Sequence, residues 1–316
     1  MATECRLTCT LPVHLIYHVP KCAGQTLHRH LTAVLPPGAY YRTRRRRGWR
    51  RLFSPLYDTA QMPDPQHTRV AGGHSLGVSL DHHFDGRELK RSILLRDPVS
   101  HLISYYNFRM MRYISRGLHP YSFRLSYLAT QRNFVAHFIL RNFLELSWPQ
   151  LVSLSDEEKY DILNAFLASF WYVGDYRRCD ELIAALAAEL SLPVCSPSQN
   201  TCAQWKRRID WQTLDVSDLA PSTIRQIRQE NLLDQRLWET WKDAEHQPAR
   251  MCPRALYSPR VRGPIHAEAV RFVSQIARRI QRRFGPLRDY RSARDRLAHA
   301  RWDSTPSLNL KQGPSA

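Results

Sequence analysis

The chain has 316 residues, 43% of them hydrophobic and 10% aromatic, which is enough apolar surface for one large core or two modest ones. Lys and Arg outnumber Asp and Glu by 46 to 28, and the net charge of +18 favours anionic partners such as phosphates, sulfates, nucleic acids or acidic sugars without deciding the fold. Seven scattered cysteines with no CxxC pair argue against a disulfide framework or a zinc site, and no signal pattern or run of roughly 20 apolar residues stands out, so a soluble, cytoplasmic protein is expected.

Residues 13–19, VHLIYHV, read as a buried strand because the run is apolar and rich in β-branched residues. The loop PKCAGQT follows, and apolar residues then recur at Leu27, Leu31, Val34 and Leu35, the spacing of one helix face, until Pro36, Pro37 and Gly38 stop it. In residues 42–51, RTRRRRGWRR, seven arginines crowd ten positions, and their mutual repulsion predicts an exposed loop. Residues 69–74 suit a short strand. A clearer one is RSILLR, residues 91–96, which runs into Asp97 as a helix cap with Pro98 in the first turn, where a missing N–H costs nothing.

The middle of the chain reads as helices over 131–146, 156–169 and 180–190, with FWYVGDY, residues 170–176, as a further strand. Helices are also expected over 223–241 and 267–284, and the polar tail from residue 304 is expected to be disordered. Strands alternating with helices predict an α/β fold around a parallel sheet. The expected organisation is one domain over residues 1–290, with a basic insert at 42–68, and a tail at 291–316.

A strand that feeds a tight loop and then a helix leaves N–H groups unpaired where the helix dipole is positive, which makes an anion cradle. Gly24 would let the backbone approach an oxyanion, Gln25 and Thr26 add donors, and Lys21 adds a full charge on a flexible stem. The order of lysine and glycine is the reverse of a Walker A loop, which disfavours ordinary nucleoside triphosphate chemistry. At the second junction, ILLRDPVSHLISYYNF, Arg96 offers a planar, permanently charged fork and Ser104 a hydroxyl. Two anion sites imply a ligand with two anionic ends.

HVPKCAGQTL resembles the 5′-phosphosulfate loop, and RDPVSHLISYY the 3′-phosphate motif, of sulfotransferases that use 3′-phosphoadenosine 5′-phosphosulfate (PAPS). The likeness is closest to the branch containing heparan and uronyl 2-O-sulfotransferases. It implies a P-loop-like fold, PAPS as donor, and in-line transfer of a sulfuryl group to an acceptor hydroxyl without an obligatory metal; a carbohydrate acceptor such as an acidic glycan is expected, and the positive charge fits a small alcohol or a lipid-linked sugar as well. Lys21 would then meet the 5′-phosphate and the bridging oxygen. Ala23, Gly24, Gln25, Thr26 and Leu27 would line the phosphosulfate through backbone N–H groups, and Arg96 and Ser104 would hold the 3′-phosphate. Asn200, Thr201 and Lys206 fall where relatives carry a loop that closes over the nucleotide. Gln25 departs from the family's usual Thr or Ser.

Transfer to an alcohol needs a base, and His74 in VAGGHSLG follows a strand at the sheet's ligand edge, where heparan-type relatives carry a similar Gly-His. His82 and His83 are alternatives; His28 and His101, each on a helix after a phosphate loop, fit less well. Cys22 reads as filler, because in-line transfer needs no covalent intermediate. The arginine run reads as a solvated loop, a docking surface for an acidic acceptor, or a contact for nucleic acid without sequence specificity. Trp49 and Trp211 read as sugar-stacking or core residues. A bacterial-type enzyme is expected, since the first strand begins too early for the membrane anchor of animal Golgi relatives. The competing functions are a P-loop kinase or phosphotransferase and a non-catalytic polyanion-binding protein.

Overall fold

In the computed structural model, which describes residues 11–43, 64–193 and 213–243, VHLIY forms the central strand β1 (Val13–Tyr17), and every residue of it is buried. A strand covered on both faces needs no polar alternation, which is why it reads as a continuous run. His14 is buried within it and packs edge-on against Trp171 at 5.1 Å. On the same strand Tyr17 meets Phe143, Phe166 and Phe170, with ring centroids 4.9 to 5.7 Å apart, a tilted and edge-on cluster that anchors the core.

The other strands are β2 (Tyr40–Arg42), β3 (Val70–Gly73), β4 (Leu89–Leu95) and β5 (Tyr172–Asp175). All pairings are parallel, in the order β2-β3-β1-β4-β5, so the expected α/β fold around a parallel sheet is what forms. Helix α1 (Gly24–Val34) carries the chain from β1 toward the β2 edge. From β4 the chain leaves in the opposite direction through α2 (Pro98–Ile114), α3 (Phe123–Ala129), α4 (Phe134–Asn142), α5 (Trp148–Ser153) and α6 (Asp156–Leu167) to reach β5. Right-handed crossovers running in opposite directions put α1 and the α4–α6 group on opposite faces. The adjacent C-terminal ends of β1 and β4 therefore form the topological switch point, where sheets of this kind bind ligands. The described chain continues through α7 (Cys179–Leu190), α8 (Pro221–Glu230) and α9 (Leu232–Trp241). A second apolar cluster joins α2, α3 and α8 through Tyr106, Met110, Phe123 and Ile227.

The helix cap predicted at Asp97 is present: its carboxylate accepts from the Ser100 N–H at 3.0 Å, and Pro98 sits in the first turn. Such a cap is worth about 1 kcal/mol. Several boundaries differ from the sequence reading. The first strand stops at Tyr17 rather than at residue 19, and Arg42, placed in the basic loop, closes strand β2 at the sheet edge. The helix expected over 223–241 is two helices broken at Asn231. Asn231 accepts from the Asn133 N–H at 2.9 Å and donates to the Ile227 carbonyl at 2.7 Å, bonds that outweigh continuity of the helix. Three residues on, Asp234 accepts from the N–H groups of Val135 and Ala136 at 3.0 and 2.8 Å, capping α4 from another helix. Burial pushes the Asp234 carboxyl up to about 7 against the pull of those two bonds.

Candidate functional site

The PKCAGQT loop leaves β1 at the switch point with two left-handed residues, Lys21 (φ 70°) and Ala23 (φ 55°), the second of which caps α1. Left-handed backbone at non-glycine residues is strained by about 1 kcal/mol each, and surrounding contacts must hold it. Arg96 Nη1 donates to the Lys21 carbonyl at 3.0 Å, and His101 Nε2 donates to the Pro20 carbonyl at 2.9 Å. Beneath the loop, Cys22 is buried, and burial pushes its thiol up to about 12, which suits the filler role and not a nucleophile.

The N–H groups expected to face an anion divide in two. Thr26 and Leu27 donate to the Ala23 carbonyl at 2.9 and 3.3 Å, and the Leu27 side chain is in the core. Their N–H groups are already engaged, because the left-handed cap turns the Ala23 carbonyl into the helix. Among the described residues no acceptor takes the N–H of Ala23, Gly24 or Gln25, so these three N–H groups stand unengaged at the positive end of α1. Lys21 reaches across the loop, its Nζ 4.5 Å from the centre of the half-exposed Phe108 ring on α2.

Arg96 stands at the end of β4 beside that loop. Its Nε donates to Ser100 Oγ at 3.0 Å, and its guanidinium carbon lies 3.9 Å above the centre of the Tyr176 ring. Ser100 Oγ in turn donates to the Asp97 carboxylate. The fork is thus fixed on three sides, and among the described residues its Nη2 has no hydrogen-bond partner. Ser104, half-buried, lies one helical turn beyond Ser100 on the same side of α2, and among the described residues its hydroxyl is unpartnered too. The two junctions read from sequence as anion sites therefore meet, joined by the bond from Arg96 to Lys21.

His74 follows β3 directly. Gly73 before it has φ 148°, and a Cβ there would lie 2.1 Å from the Thr43 hydroxyl, so only glycine fits. His74 Nδ1 lies 2.7 Å from the His18 carbonyl. A carbonyl only accepts, so Nδ1 carries the hydrogen and Nε2 is the basic nitrogen, the tautomer a general base needs. Phe138 on α4 abuts the His74 ring at 6.2 Å, and Phe134 continues this wall to the buried His101 at 5.3 Å. Burial brings His101 down to about 4, so it braces the loop as a neutral donor.

The alternative histidines lie elsewhere. His82 and His83 sit on a 3-10 helix (Val78–Phe84); His82 is exposed and faces Asp85 at 4.0 Å. His28 is on α1 against Tyr40, lowered by burial and by Arg42. His101, weighed from sequence as a lesser candidate base, is instead bonded to the Pro20 carbonyl; residues missed by the sequence reading are His18, Ser100 and Tyr176, of which only Ser100, four residues after Arg96, carried a local signal.

The expected contributions of Asn200, Thr201, Lys206, Trp49 and Trp211, the arginine run beyond Thr43, the helix at 267–284 and the tail lie outside the described residues. No described helix is long and apolar enough to cross a membrane. No protein-family model matches the chain, and no curated protein matches it.

Proposed function

We propose that this chain is a cytoplasmic O-sulfotransferase with a P-loop-like nucleotide site, moving the sulfuryl group of PAPS to a hydroxyl of an acidic carbohydrate. The observation that carries the reading is the bond at 3.0 Å from Arg96 to the Lys21 carbonyl, which ties the two anion-binding junctions into one site at the switch point. The residues present suit a ligand charged at both ends. The three unengaged N–H groups and Lys21 would serve the phosphosulfate end; Nη2 of Arg96 and the Ser104 hydroxyl would serve the 3′-phosphate.

The acceptor oxygen forms a bond to sulfur as the bond from sulfur to the 5′-phosphate oxygen breaks. The acceptor's proton passes to His74 Nε2, and 3′-phosphoadenosine 5′-phosphate (PAP) departs with the electron pair. Charge grows on the departing phosphate, where Lys21 and the cradle stabilise it; fixed donors of this kind contribute most to such reactions. His74 supplies general-base catalysis from a tautomer set by backbone. The free thiols Cys22 and Cys179 suit a reducing compartment. Incubation with labelled PAPS against a panel of acidic glycans, lipids and small alcohols tests the reading: label should pass to a hydroxyl of at least one glycan, and transfer to none of the panel, with PAPS left intact, would refute it.

A further inference from the structure

His18 takes no part in the transfer chemistry just described, yet it touches both halves of the site. It lies one residue beyond β1 and extends the β1–β3 pairing, its N–H donating to the Gly73 carbonyl at 3.1 Å and its own carbonyl accepting from His74 Nδ1 at 2.7 Å. Its ring lies against the first turn of α1 so closely that a Cβ on Gly24 would come within 2.0 to 2.2 Å of three ring atoms. The same ring stacks on His74, with centroids 4.1 Å apart and planes 28° apart. Glycine at position 24 is therefore demanded by the imidazole packed against it, a requirement separate from any approach of a ligand.

We infer that His18 is a positioning residue whose ring sets the separation and tilt of His74 relative to the phosphosulfate loop, an inference that rests on the sulfuryl-transfer reading. The bond at Nδ1 fixes one atom of the His74 ring. The stacked plate, itself wedged against α1, sets the plane of that ring and its distance from the loop, and a misplacement of about 1 Å at a reacting group costs up to 100-fold in rate. The plate suits a base that becomes cationic during transfer. Burial, reinforced by His74, Arg42, His28 and Lys21, holds the His18 imidazole well below its usual range, so it stays neutral. A neutral ring face beside an imidazolium attracts it; a second cation would repel it.

The test uses the full chain and water as the acceptor, so that no glycan need be known: release of labelled sulfate from PAPS gives kcat and KM, and calorimetry gives PAP affinity. His18→Phe keeps a stacking ring and should hold kcat within about fivefold of the unaltered protein, whereas His18→Ala should lose about 10- to 100-fold in kcat. The KM for PAPS and the affinity for PAP should stay within about twofold in His18→Ala, a split that a merely structural ring would not produce. Gly24→Ala should lower the unfolding midpoint in the unaltered background and much less in the His18→Ala background, because the clash needs the ring. A normal kcat in His18→Ala, or a loss confined to KM, overturns the inference alone. Failure of the unaltered protein to bind PAP overturns the sulfuryl-transfer reading, and the inference with it, while the Gly24 cycle still reports the packing.

Discussion

Replacing Arg96 by alanine removes three contacts made by a single guanidinium: Nη1 to the Lys21 carbonyl at 3.0 Å, Nε to Ser100 Oγ at 3.0 Å, and the face over Tyr176 at 3.9 Å. Hydrogen bonds from a charged donor contribute about 1.5 to 3 kcal/mol each, and a partly solvated cation–π contact about 0.5 to 1 kcal/mol. The contacts share one group and are not additive, so the net loss in unfolding free energy should be about 2 to 3 kcal/mol. Urea denaturation without ligand reads this as a midpoint lowered by roughly 1 M. Binding should suffer more selectively. PAP loses its 3′-phosphate partner and should weaken at least about 100-fold, while AMP, which has no 3′-phosphate, should weaken only about tenfold through the slackened Lys21 loop. Arg96→Lys keeps the charge but cannot reach both partners at once, and should fall between. An Arg96→Ala protein with an unshifted midpoint and unchanged PAP affinity would refute the reasoning.

Lys21→Ala should lower turnover of PAPS about 100- to 1,000-fold while PAP remains measurably bound through Arg96, as checked by single-turnover kinetics and calorimetry. His74→Ala should cut turnover about 100- to 10,000-fold with PAP affinity intact; a normal rate would exclude His74 as the base. Asp234→Asn should destabilise the fold by about 1 to 3 kcal/mol, because an amide offers one acceptor to the two N–H groups of α4. Burial holds the folded carboxyl at about 7, above the ordinary carboxylate range, so Asp234 contributes most stability below about pH 4 and loses it as pH rises through 7. The advantage of the unaltered protein over Asp234→Asn in thermal melts should shrink across that window, and a gap that widens with pH would contradict the assignment.

The parts of the fold written in local chemistry were legible. VHLIY is buried on both faces and reads as such, and Asp97-Pro98 announces a helix start whatever surrounds it. Lys21 and Arg96 could be paired from sequence because each ends a strand that opens into a helix. What stayed hidden depends on residues distant in the chain. Strand β2 has three residues, Tyr40–Arg42, between a PPG stop and an arginine run, and only pairing with β3 makes it a strand. The break at Asn231 is made by Asn133, and the engagement of the Thr26 and Leu27 N–H groups by the left-handed turn at Ala23. His18 could not be singled out because its neighbours, Gly24 and His74, meet it only once β3 lies beside β1.

In the proposed function one nucleotide with phosphates at both ends of its ribose spans the Lys21 loop and Arg96. Calorimetric titration of the unaltered protein with PAP and, separately, with AMP measures this directly. PAP should bind at least about 100-fold more tightly, the difference being the 3′-phosphate on the Arg96 fork. Equal affinities for the two nucleotides would contradict it.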